Sequence, residues 1–356
     1  MQYAFFKRNV LSFILHFEGC TETILKKELH EFACITEIKT FPHLKTMKKE
    51  RIFIISLIIL SVVTFVGGTN FAFKKACMPK EMAWPDLKTA DEVQYGILID
   101  AYKIKHEQSE TVTITAVDGT KLSGNYYEWK KNAPIVIFFH GLWNDGYIDG
   151  VPIYRITEQH QWNLLLVTSR AHGESGGEFS TLGTWEKYDC RDWANWAAER
   201  FGSATPIVLM GVSMGGATVM MSSDLDLPDS VCGIVEDCGY TSPMEMIAWN
   251  SRQRLPKFAP AWLFDFFVDA GTKIWGGFEL READACEALT QTDIPLLIIH
   301  GDKDTRAPLS MAYRIYDSCA SEKQLFIVSG ADHAENYKTN PEEYERTVTK
   351  FIQEHL

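Results

Sequence analysis

The sequence predicts an α/β protein: a mostly parallel sheet with helices on both faces, entered through an antiparallel hairpin. Three observations lead there. Short, continuous apolar runs recur along the chain, as in strands buried on both faces. Helix-length stretches separate them, which implies parallel strands joined by crossovers. One run, Ile207-Val-Leu-Met-Gly-Val-Ser213-Met-Gly-Gly216, passes through Gly-x-Ser-x-Gly straight into a helical stretch.

Met78–Gln108 is polar and mixed, read as a stalk followed by a helix near Ala90–Lys105. Thr111–Ala116 and Lys121–Trp129 alternate apolar and polar residues around Asp118-Gly119, a hairpin signal. The buried strands are Pro134–His140, Trp162–Thr168, Pro206–Met210, Ser230–Val235, Ile294–Ile299 and Gln324–Val328. Helices are expected at Ile148–Gln161, Thr184–Phe201, Gly215–Asp224, Ser310–Cys319 and Pro341–Leu356. About fifty residues between Tyr240 and Thr292 show no strand, too many for a plain connection. A helical cap over about 241–290 accounts for them. Of its aromatics (Trp249, Trp262, Phe264, Phe266, Phe267, Trp275 and Phe278), about half are expected in ordinary helix packing and a minority along an apolar acyl pocket.

The chain has 356 residues and a formal charge of −12, which argues against a nucleic-acid partner. Residues 1–51 hold nine Lys and Arg against six Asp and Glu, a balance of +3, so the remainder carries −15. The uncharged run Ile52–Phe73 follows Lys48, Lys49 and Arg51 and reaches the roughly 20 residues that span a bilayer. We read residues 47–77 as an uncleaved signal-anchor, with a buried core helix as the alternative. The bulk of the chain then lies outside the cytoplasm, secreted if the signal is cleaved. Met47 is the natural start of such a signal. Residues 1–46, whose apolar patch Val10–Phe17 is too short to span, are an extension from a misassigned start codon or a genuine cytoplasmic segment. The eight cysteines, Cys20 and Cys34 among them, form no Cys-x-x-Cys pair and lack zinc-type histidine spacing, so buried free thiols are expected.

A serine on a sharp strand-to-helix turn needs flanking positions without side chains, which Gly211 and Gly215 supply. Its hydroxyl also needs a base and an orienting acid, placed after other parallel strands. His300-Gly-Asp-Lys-Asp304 follows one late strand and Asp332-His333 follows the last, so the order is Ser213, Asp304, His333. His333 would take the serine proton and Asp304 would hold the imidazole. Asp302 and Asp237 are the alternative acids, Asp237 being read as a structural turn residue. His300, His140 and His172 are read as structural. Oxyanion donors are the backbone N–H groups of Met214, after the serine, and Leu142, after Gly141.

From about residue 95 onward the chain resembles the α/β-hydrolase superfamily, and within it the exported, membrane-anchored bacterial serine hydrolases of the serine-aminopeptidase-like and esterase groups. The segments that carry the resemblance are His140-Gly, Arg170-Ala-His-Gly-Glu-Ser-Gly-Gly177, Gly211-Val-Ser-Met-Gly215, His300-Gly-x-x-Asp304-x-x-Ala-Pro308 and Asp332-His333. The resemblance implies a hydrolase domain over 109–356, without metal or cofactor, that cleaves a carboxylic ester through an acyl-enzyme. Small esters or lipid-like molecules are the substrates expected. A peptidase or amidase is the alternative; a catalytically silent binding protein is a third. Nothing in the sequence bears on the oligomeric state.

Overall fold

Eight strands build one sheet in the order β1-β2-β4-β3-β5-β6-β7-β8. The computed structural model describes residues 49–80 and 84–356. Val10–Phe17, Met47, Cys20 and Cys34 therefore lie outside the described residues. The elements run α1 (Lys49–Cys77), α2 (Glu92–His106), β1 (Glu110–Thr115), β2 (Lys121–Tyr127), β3 (Ile135–Phe139), α3 (Val151–His160), β4 (Asn163–Thr168) and α4 (Glu186–Phe201). There follow β5 (Ile207–Val212), α5 (Met214–Met221), β6 (Val231–Asp237), α6 (Pro243–Arg254), α7 (Ala261–Gly271), α8 (Ala285–Leu289), β7 (Leu296–Gly301), α9 (Leu309–Ser318), β8 (Lys323–Val328), α10 (Asn336–Thr339) and α11 (Pro341–His355).

β1 pairs antiparallel with β2, and β2 antiparallel with β4; every later pair is parallel. Alternation across β3 shows why its run is wholly apolar. Ile135, Ile137 and Phe139 join the core beneath α4, α5 and α9, while Val136 and Phe138 join the core beneath α2, α3 and α11. Both faces are covered, so neither parity of residue meets water. The chain reverses direction across the sheet on either side of β3, since β4 lies to one side and β5 to the other. Crevices at such switch points are where open α/β sheets hold ligands.

Arg170 ties the hairpin to the body of the sheet. Its guanidinium donates to both oxygens of Asp189 on α4 (2.7 and 2.6 Å) and to Asp118 in the β1–β2 turn (2.9 Å). Burial pushes the Asp189 carboxyl up to about 7, and the Arg170 fork is what opposes it.

Two details depart from the sequence reading. β6 runs on through Glu236 and Asp237, two buried carboxyl residues. Asp237 is therefore a strand end rather than a turn residue; it accepts from Asn336 Nδ2 (2.6 Å) and Tyr344 OH (2.7 Å), which seats α10 and α11. Between β6 and β7 lie α6, α7, a π-turn at Thr272–Gly276, a 3-10 turn at Leu280–Glu282 and α8, with no strand. The six described cysteines are all unpaired, and four are buried.

The second departure concerns α1. Val66–Leu356 forms one compact unit, and the last turns of α1 are part of it. Ala72, Phe73 and Cys77 are buried in the core on one face of the sheet; Phe73 packs edge-on against Phe179 at 5.2 Å. Trp275 Nε1 donates to Thr69 Oγ1 (3.2 Å), and a Cβ on Gly271 would sit 2.6 Å from the Thr69 carbonyl. Ile54 to Leu60, by contrast, are exposed. A chain starting at Val66 should thus fold and melt cooperatively. A chain starting at Met78 should be destabilised by at least about 3–5 kcal/mol, the usual cost of losing one buried phenylalanine. Thermal unfolding of the two truncations checks this.

Candidate active site

Ser213 stands between β5 and α5 with φ 54° and ψ −111°, a backbone region that costs of order 1–3 kcal/mol for a residue with a side chain. What holds it there is close packing. A Cβ on Gly211 would lie 2.2 Å from the Gly215 carbonyl carbon, and one on Gly215 would lie 1.9 Å from the Phe139 carbonyl oxygen. The Ser213 N–H donates to the Asp237 carbonyl at 2.7 Å, which pins the turn to the end of β6.

Three of the residues anticipated from sequence come together. Ser213 Oγ is 2.8 Å from His333 Nε2, and His333 Nδ1 is 2.8 Å from Asp304 Oδ2. The other Asp304 oxygen accepts from the N–H groups of Arg306 (2.8 Å) and Ala307 (2.7 Å), so the carboxylate is fixed at both ends. Asp332 fastens the two loops to each other: its Oδ1 accepts from Thr305 N and from His333 N, both at 2.8 Å. Asp302 points elsewhere, accepting from Gly330 N (2.7 Å) and Ser329 Oγ (3.2 Å). His300 is wholly buried on β7 and bonds the Ala307 carbonyl at 2.8 Å.

The loop after β3 faces this group. The Gly141 N–H is taken by Asp149 Oδ2 (2.9 Å) and the Trp143 N–H by His172 Nε2 (3.0 Å). Of the three successive amides, that of Leu142 is the one neither partner captures. Met214 begins α5, where the first N–H groups of a helix have no intrahelical acceptor. His172 and His140 serve this loop as neutral rings. His172 Nδ1 bonds the Arg170 carbonyl (2.9 Å), and His140 Nε2 accepts from Ser169 N (3.0 Å). Burial, with His172 beside it, lowers His140 to about 3, and burial lowers His172 too.

Asp149 was not anticipated. It is half-buried, and its second oxygen accepts from Asn144 Nδ2 (2.6 Å), so one carboxylate organises both ends of the Gly141–Asn144 turn. Nothing in the sequence marks it among the surrounding polar loop residues. Burial is the main force raising it to about 6, opposed by the Gly141 N–H.

A metal is not needed to explain these contacts. Donor atoms of Cys238, Asp304 and His333 lie within 4.8 Å of one another. Both His333 nitrogens are already engaged, by Ser213 and Asp304. Burial, then the nearby carboxylates, push the Cys238 thiol well above its ordinary value, which keeps it a poor ligand.

A cavity of about 320 Å³ opens onto Ser213 and Met214. Leu142, Leu182, Met246, Ile247, Leu255 and Phe264 give it apolar walls. Of the aromatics singled out between β6 and β7, Phe264 alone lines it among the described residues. Trp262 and Phe266 are exposed, and Phe278 is in the core.

A family model described as the prolyl oligopeptidase family matches residues 168–356, more than half of the chain. The uncharacterised protein YqkD of Bacillus subtilis (strain 168) is 29% identical over 193 residues, covering 54% of this chain and 62% of YqkD. The lysophosphatidylserine lipase ABHD12 of Danio rerio is 24% identical over 208 residues, covering 56% of this chain and 51% of the lipase. The chain thus spans between half and two thirds of the length of these relatives. Among solved structures, the Pyrococcus furiosus esterase Pf2001 superposes with a TM-score of 0.59 at 21% identity, over 78% of this chain and 97% of the esterase. That likeness concerns the fold.

Replacing Asp149 by Asn should disturb the Gly141–Asn144 turn. We expect kcat to fall about 10²-fold, as when an oxyanion donor is lost, with KM changed far less. Stability should respond to pH with a definite sign. Between 3.8 and about 6 the folded carboxyl keeps a proton that the unfolded chain releases, so this group draws stability down as pH rises through that window. The variant lacks that loss. Its unfolding free energy relative to the parent should rise by up to about 3 kcal/mol between pH 4 and 7, measured by thermal unfolding.

Proposed function

Since the chain belongs to the prolyl oligopeptidase family and is a hydrolase with the α/β-hydrolase fold, we propose that it cleaves carboxylic esters with Ser213 as nucleophile, His333 as base and Asp304 as the orienting acid. The observation that carries this reading is the continuous hydrogen-bonded chain from Ser213 Oγ through His333 to Asp304, with an apolar cavity opening on the serine.

In this mechanism Ser213 Oγ attacks the acyl carbonyl as its proton passes to His333 Nε2. The oxyanion that forms is met by the N–H groups of Leu142 and Met214. Collapse expels the alcohol, which takes the proton from His333, and leaves an acyl-serine. Water then repeats the sequence, releasing the acid. Asp304 keeps Nδ1 protonated throughout, so that Nε2 is free to accept.

Helices α6 to α8, about 241–290, act as a cap that supplies one wall of the cavity. The apolar walls suit an acyl chain. Among the described residues the lining holds no Asp or Glu, so a peptide's ammonium terminus would find no counter-charge there. Peptidase or amidase activity is the second reading, favoured by the family match itself. The similarity to the lysophosphatidylserine lipase ABHD12 of Danio rerio adds support for a lipid-like ester.

We also propose that α1 anchors the protein in a membrane, with the hydrolase outside the cytoplasm. Support comes from Arg51–Cys77, 27 helical residues long, whose most apolar 18-residue stretch has a mean hydropathy of 2.5, with Lys48, Lys49 and Arg51 at its start.

Ser213→Ala should abolish both p-nitrophenyl ester turnover and fluorophosphonate labelling, with a kcat loss of about 10⁶-fold. Full labelling of that variant would refute the mechanism. Asp304→Asn should lower kcat by about 10⁴-fold by inverting the imidazole tautomer, while labelling slows rather than disappears. Nitrophenyl esters run beside matched anilides separate the two readings.

A further inference from the structure

The cavity in front of Ser213 carries a charge pattern opposite to that of the chain. The protein's formal charge is −12, with 47 Asp and Glu against 35 Lys and Arg. Yet the charged residues lining the cavity are Lys75, Lys80 and Arg254. All three are exposed, and none has a carboxylate partner among the described residues. Lys80 instead rests over the Trp143 ring, its Nζ 4.1 Å from the centroid, and Lys75 lies 5.7 Å from that of Phe71. In a chain where acids outnumber bases, the described lining of this one opening holds three cations and no Asp or Glu. They would make that opening locally attractive to anions in an otherwise repelling field.

The arrangement also has polarity. The interior walls are apolar, and the cations are the solvent-facing part of the lining. Long Lys and Arg side chains place their stems on apolar surface and their charged ends in water, where a hydrated headgroup would be met.

We infer that the site selects amphiphilic acyl esters whose alcohol part bears a negative charge, the acyl chain entering the apolar walls and Lys75, Lys80 and Arg254 receiving the anionic headgroup. This rests on the ester reading of Ser213 and adds the charge of the leaving group to it. Phosphate and carboxylate share the required chemistry.

The test compares hexanoyl esters of glycerol, glycerol 3-phosphate and glyceric acid, using the full-length protein in a neutral detergent at low salt. The anionic esters should exceed the neutral one in kcat/KM by about tenfold or more, equivalent to about 1.4 kcal/mol. About 1 M NaCl should erode the preference, because exposed charges are screened. In the Lys80→Gln/Arg254→Gln double variant the anionic-to-neutral ratio should fall towards one. A preference confined to the phosphate ester would support the inference and narrow the headgroup to phosphate. Equal kcat/KM for all three esters would overturn it, as would a double variant that lowers all three in the same proportion. Fluorophosphonate labelling of Ser213, measured alongside, distinguishes the two failures. Without labelling the hydrolytic reading falls; with labelling but no charge preference, only this inference does.

Discussion

Where β5 gives way to α5 the chain crosses its neighbours with no room for a Cβ, and the rest of the carboxyl edge is arranged around that crossing. Gly211 and Gly215 let the start of the helix approach β5 itself and the end of β3 at backbone contact. The consequence is a serine in a costly conformation, kept there by the hydrogen bond from its N–H to the Asp237 carbonyl and by the helix that begins one residue later. Relaxing the turn would separate the hydroxyl from His333 and shift the Met214 amide together. Position and electrostatics are thus set by one packing constraint.

The surrounding loops use hydrogen-bonded carboxylates for the same purpose. Asp149 holds the turn after β3, Asp332 couples the loops after β7 and β8, and Asp237 seats the last two helices. Each accepts at least two hydrogen bonds, which is how a buried acidic group becomes tolerable. Glu236 shows the limit of that strategy. One of its oxygens accepts from the Gly239 N–H (2.7 Å) and the other has no partner among the described residues. Burial correspondingly pushes it up to about 8, so it is mainly protonated at neutral pH.

Much of this was legible in the sequence. Strands buried on both faces write themselves as unbroken apolar runs, and for that reason β3, β4 and β5 sit where Pro134–His140, Trp162–Thr168 and Pro206–Met210 suggested. Ser213, Asp304 and His333 were readable because each follows such a run. What escaped did so for physical reasons. β6 was cut short because Glu236 and Asp237 look like loop residues until their burial is known. Asp149 was missed because a carboxylate that organises a turn does so through spatial neighbours, and Gly141 lies eight residues away. Within the apolar run Ile52–Phe73, hydropathy does not distinguish exposed residues from residues packed on protein, whereas Ala72 and Phe73 face Phe179 and its neighbours.

That last division has a mechanical side. The backbone of α1 is helical without interruption from Lys49 to Cys77, and its final turns are part of the folded body. Proteases cut where chain is exposed and extended, so a cut between residues 66 and 77 would first require prying Phe73 and Cys77 out of their places. Burial of Ala72, Phe73 and Cys77 is therefore also what shields this stretch of backbone from cleavage.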